Sequence, residues 1–153
     1  MITDDQKFLY QNALKYFEIH AAQRIQALNF CVIIESLLVT GVLGLFSSRE
    51  FRIAAIVVSF AISFFAVCFY CMDKRMKMMI EASEDVLKTI EEETGYSEKH
   101  CVFTSSENRF GELVKSGKGM PTWSKVLKAI YLFFAFLGFV GVITFLVLLI
   151  LNK

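Results

Sequence analysis

Three long apolar runs organise the chain, and polar sequence separates them. The first extends from Leu28 to Phe46 and is broken only by Glu35 and small polar residues. The second, Ile53 to Met72, carries no charge, and the third, Val126 to Leu151, is charged only at Lys128 near its start. A helix needs about 20 residues to cross a bilayer, and each run has that length. In a chain of 153 residues too little sequence remains to shield three such helices from water. The pattern predicts an all-α membrane protein with three transmembrane helices, at 28–46, 53–72 and 126–151. Only Ser47 to Arg52 separates the first two, which makes them a tight helical hairpin with both far ends on one side of the membrane.

The polar flanks also read as helices. At the start, Thr3-x-x-Gln6 has the form of a capping box. Leu9, Ala13, Tyr16, Phe17 and His20 then recur at helical spacing through residues 1–27. Nothing interrupts the helix before the first span, so one helix of about 60 Å is expected to run through both. After the second span, residues 73–94 contain no Gly or Pro. Met76, Met79, Ile80, Val86, Leu87 and Ile90 form an apolar stripe among charges, with Glu84 and Lys88 at a supportive spacing. This segment is expected to be a stalk helix. Residues 95–124 hold Gly95, Gly111, Gly117, Gly119 and Pro121 and are expected to form a loop, with a short strand or turn at Cys101-Val102-Phe103.

Net charge is only +1, which argues against bulk attraction to nucleic acid. The distribution is more informative. Lys74, Arg75 and Lys77 follow the second span, and Lys115, Lys118, Lys125 and Lys128 lead into the third. The hairpin turn holds Arg49 and Arg52, and the C-terminus holds Lys153. The excess of basic residues places the N-terminus and residues 73–125 in the cytoplasm. Trp123 and Tyr131 flank the start of the third span, where aromatic rings favour the interface. Residues 81–93 carry six negatives and one positive, facing basic stretches on either side in sequence. That order suits either a solvated acidic face or pairing between subunits.

Cysteine and histidine offer little chemistry. Cys31, Cys68 and Cys71 lie in or at the end of apolar runs, and with Cys101 they are read as reduced thiols. Cys68-x-x-Cys71 lacks the second pair that a zinc site needs. Lys99-His100-Cys101 lacks a third group to orient it. There is no phosphate loop, HExxH or GxSxG, and no Arg precedes either histidine at the spacing of a HEPN-type ribonuclease motif. No cleavable signal peptide, catalytic residue, metal or cofactor is expected.

One constellation stands out. At about 100° per residue, His20, Arg24, Cys31 and Glu35 fall within a stripe about 60° wide, shared with Ala27 and Leu38. The stripe runs from basic to acidic as it enters the membrane. A carboxylate in hydrocarbon is costly and rarely faces lipid. Glu35 could snorkel, take up a proton or pair with Arg24 of a neighbouring chain. It could instead line an axial cavity with its copies, as charged rings do in channels, or bind a cation or proton in a small transporter. Three packed helices leave no lumen, so a channel requires an oligomer. Gly41, Gly44, Ser59, Ser63, Gly138 and Gly141 are the small residues that would ease close helix contact.

The sequence "YFEIHAAQR", then "NF" leading into the hairpin, then "DKR" and "SEDVLKTIEEE", resembles the RipA-like family of small octameric bacterial membrane proteins. That family includes the membrane accessory protein of type VI CRISPR systems. The resemblance covers roughly residues 8–93. It implies a ring-shaped homo-octamer around a membrane opening, acting in membrane permeabilisation during antiphage defence. By the same resemblance, His20, Gln23 and Arg24, and Asp73 and Arg75, carry over as family positions. Glu84 and Asp85 belong to the stalk.

These readings converge on a homo-oligomeric pore or permeabilising effector of the bacterial inner membrane. Its partners would be the lipid bilayer, its own copies and a cytoplasmic defence protein or RNA-guided effector, without sequence-specific nucleic-acid binding. The functional stripe would be His20, Arg24, Cys31 and Glu35, and the stalk interface Gln23, Asp73, Arg75, Glu84 and Asp85. A membrane-anchored module that binds a cytoplasmic protein or nucleotide is the alternative, and a cation- or proton-coupled transporter using Glu35 is the third.

Overall fold

The computed structural model describes residues 3–46, 49–94, 101–105 and 122–151. Helix α1 spans Asp4–Leu45, a 3-10 turn covers Arg49–Phe51, α2 spans Arg52–Thr94 and α3 spans Trp123–Leu151. No strand occurs among the described residues. A capping box starts α1: the Gln6 N–H donates to Thr3 Oγ1 at 3.3 Å, and the Thr3 N–H donates to Gln6 Oε1 at 3.1 Å. No Gly or Pro interrupts α1 before Gly41, and none occurs in α2, so each helix continues beyond its apolar run. Helix α3 starts three residues ahead of the apolar run at Val126.

Each of the three helices is long and apolar enough to cross a membrane. In their most apolar stretches only 11%, 22% and 11% of residues are buried within the chain. The rest of that surface is compatible with lipid or with other copies, so the chain is an integral membrane protein.

The chain divides into two compact units. One gathers residues up to Arg24 with residues 74–122; the other holds Ile25–Asp73 and Trp123 onward. In the first unit, the start of α1 lies against the end of α2, where Gln6 Nε2 donates to Glu93 Oε2 at 3.3 Å. Leu87 and Ile90 are buried there. An ion pair between Lys77 and Glu81, 3.1 Å apart, lies on the exposed face and contributes little to stability. Of the strand or turn expected at 101–103, the structure shows a turn. Residues 102–105 form one helical turn, with the Ser105 N–H donating to the Cys101 carbonyl at 3.0 Å. The other expected loop residues, 95–100 and 106–121, lie outside the described ones.

In the second unit, α2 and α3 approach closely through small residues. Ser63 Oγ donates to the Ala135 carbonyl at 2.9 Å, and Gly138 and Gly141 lie directly against Ser59 and Ser63. Gly41 and Gly44 have no neighbour within 4 Å of where a Cβ would stand. Arg52 Nη1 donates to the Leu148 carbonyl at 2.7 Å near the end of α3, where a cation complements the helix dipole. Phe46 and Phe145 meet edge to face near the same end. Toward the other end, Cys31, Leu127 and Tyr131 form a buried cluster against Leu28, Phe69 and Tyr70.

Candidate functional site

The stripe on α1 divides between the two units. His20 is half-buried, and its imidazole N–H donates to Gln23 Oε1 on the same helix at 2.9 Å. The Tyr16 ring lies edge-on to it, with centroids 4.2 Å apart. His20 is thus held by local contacts, and Gln23 is exposed. Arg24 is 9% exposed and engaged within the structure.

In the other unit, Cys31 and Glu35 are both 0% exposed. Neither Glu35 oxygen has a hydrogen-bond partner among the described residues. A residue lining an axial cavity needs surface outside its own chain, and Cys31 and Glu35 have none. Glu35 in particular is fully enclosed. The packing of the chain's own helices encloses it, because Ala27 and Cys31 above it are small enough to let that face of α1 turn inward. An ionised carboxylate gains nothing in such a place, and the neutral amide of glutamine has the same shape. Glu35→Gln is therefore expected to fold, with a melting temperature in detergent within about 4 °C of the parent. A larger drop would mean that the carboxylate has a partner this packing does not hold.

The residues assigned to the stalk scatter. Asp73 is buried and engaged, and Arg75 is exposed. Glu84 is half-buried and also engaged. Asp85 is exposed and borders a shallow groove with Leu9, Val86, Thr89, Ile90 and Glu93. His100 lies outside the described residues. No group of three His, Cys, Asp or Glu side chains able to hold a metal occurs among the described residues.

Sequence reasoning missed Glu91. Its side chain is buried near the end of α2 and accepts three hydrogen bonds: the Phe103 N–H at 3.3 Å, the Thr104 N–H at 3.1 Å and the Thr104 hydroxyl at 3.1 Å. These amides lie at the start of the 102–105 turn, where a carboxylate complements the first N–H groups. Phe17 adds an edge contact to Phe103 at 5.5 Å, and Cys101 is buried alongside. Burial, then the nearby Glu91 and Cys101, push the Tyr10 phenol above its usual range and keep it neutral. In sequence Glu91 is one of three consecutive glutamates, with nothing to mark it as the buried one.

Three helices with outward apolar faces and an inward-turned polar stripe define a small multi-span membrane protein. The chain belongs to the octameric membrane protein family (8xMP), whose family model matches residues 7–149 and so covers all three helices. It is a homo-oligomeric membrane protein by that membership. No curated protein and no solved structure matches the chain.

Proposed function

We propose that eight copies assemble as a ring around a central opening in the bacterial cytoplasmic membrane, and that the assembly permeabilises that membrane as an antiphage effector. One observation carries the reading: a family model described as octameric spans all three apolar helices. Three packed helices leave no lumen, so a conducting path would lie between copies. In this reading the N-terminus and residues 73–125 face the cytoplasm, as the distribution of Lys and Arg favours. The unit formed by residues up to Arg24 and 74–122 then receives the trigger.

The first experiment is the mass and symmetry of the particle extracted in nanodiscs, by mass photometry and cryo-EM class averages. A closed ring of eight, with ion leak from liposomes carrying it, is the expected result. A monomer or dimer would remove the axial path. A second reading, a membrane-anchored module for a cytoplasmic protein or nucleotide, draws support from the segment that Glu91 holds. It is favoured if the ring forms, the liposomes stay tight and changes in 81–121 abolish activity.

A further inference from the structure

Helix α1 carries polar residues on two opposite faces, and only one face turns inward. Arg24, Ala27, Cys31 and Glu35 are buried. About 180° around the helix, Gln26, Asn29, Ser36, Thr40 and Gly44 fall within about 80° of one another, with Ile33 the one large apolar residue among them. All six are exposed. Apolar positions flank this second stripe: Ile25, Val32 and Leu43 on one side, Phe30 and Leu37 on the other.

The other two spans have no such face. The exposed positions of α2 between Ile53 and Met72 are aliphatic, Phe, Met or Cys, with no amide or hydroxyl. Thr144 is the one hydroxyl among the exposed positions of α3 from Ala129 to Leu151, and it donates to the Val140 carbonyl at 2.8 Å. On α1, Ser36 Oγ donates to the Val32 carbonyl at 2.6 Å and Thr40 Oγ1 to the Ser36 carbonyl at 2.8 Å, which leaves their lone pairs outward. The side chains of Gln26 and Asn29 make no hydrogen bond among the described residues. Gln26 stands just ahead of the apolar run and Asn29 at its start, so the stripe offers amides at the mouth of the span and the Ser36 and Thr40 hydroxyls within it, a polar face that neither α2 nor α3 turns outward.

We propose that this outward stripe of α1 lines the water-filled axial path of the oligomer, with α1 innermost and α2 and α3 against lipid. The inference rests on the oligomeric-pore reading and deepens it. Its lining is neutral amide and hydroxyl, so the permeant class is small hydrated ions and solutes without strong preference for either sign of charge. The charged residue of the span, Glu35, stands behind this wall rather than in it.

Substituted cysteines test the placement in the full-length protein reconstituted in liposomes. Ser36→Cys and Thr40→Cys are compared with Val57→Cys and Phe136→Cys, two exposed positions on the faces assigned to lipid. A charged, membrane-impermeant methanethiosulfonate is the probe, read site by site by mass spectrometry so that native thiols are separated. Only a thiol in water ionises and reacts, so the two stripe variants are expected to react about a hundredfold faster than the two controls. Equal, slow rates in a particle of ring mass would overturn the placement while leaving the oligomer standing. A stripe that resists the probe but forms disulfides between subunits would make it a contact between copies and overturn it equally. A particle of one or two copies would instead sink the pore reading, and the mass measurement shows that before any labelling.

Discussion

Replacing Gly138 with leucine is expected to abolish the folded membrane unit, whereas the same change at Gly41 is expected to leave it intact. At Gly138 even a Cβ would stand 2.5 Å from Ser63 Oγ, 2.6 Å from the Ser59 carbonyl oxygen and 2.6 Å from the Ser63 amide nitrogen. Two of these atoms are helix backbone and cannot rotate away. The helices would have to separate, and the Ser63 bond to the Ala135 carbonyl would go with them. Overpacking costs about 1–3 kcal/mol for small insertions and more where backbone must move. Gly138→Ala should fall within that range and Gly138→Leu beyond it. Around Gly41 the space is open, and Gly41→Ala should gain up to about 1 kcal/mol of helix propensity. Thermal melts and limited proteolysis of the extracted protein read both. Equal melting temperatures for the two alanine variants would contradict the close approach of α2 and α3.

The second large effect is expected at Glu91. Glu91→Ala removes the acceptor for two backbone amides and a hydroxyl and leaves both amides part-buried. Hydrogen bonds to a charged group contribute about 1.5–3 kcal/mol each, so the loss is a few kcal/mol confined to one turn. Residues 101–105 should detach while the spans stay folded. Amide exchange at Phe103 and Thr104 should accelerate by about one to two orders of magnitude. Cys101, buried in the parent, should become reactive to maleimide. Glu92→Ala, at an exposed position next to it, should change neither. Unchanged exchange in Glu91→Ala would mean that Phe17 and the buried Cys101 hold the turn unaided.

The two predictions concern residues of different legibility. Gly138 and Gly141 were recognisable as small residues suited to close contact, but so were Gly41 and Gly44. Within an apolar span, lipid and a helix interface both accept hydrophobic side chains, and local sequence does not separate them. Glu91 was hidden for the opposite reason. Beside two other glutamates it looks like part of a solvated face, and its burial follows from the 102–105 turn farther along the chain.

The α1 stripe was only partly legible. Helical geometry placed His20, Arg24, Cys31 and Glu35 on one face, and the structure shows Arg24, Cys31 and Glu35 buried. Gln26, Asn29, Ser36 and Thr40 form an equally periodic set on the far side, which the charges of the first stripe overshadow in sequence.

By itself, the sequence determined that this is a helical membrane protein with three spans. Runs of about 20 apolar residues follow from the cost of placing polar groups and unpaired backbone in a bilayer, which no later packing can alter. It also determined where α1 begins, because the Thr3–Gln6 cap is a contact within one turn. Only the tertiary structure decided which face of α1 turns inward. Both faces are polar at similar intervals, so periodicity gives no preference between them. Ala27 and Cys31 give the inner face room beside its neighbours, and Glu35 is buried along with them. That choice depends on contacts between helices far apart in sequence, and it left the amides and hydroxyls of α1 facing outward.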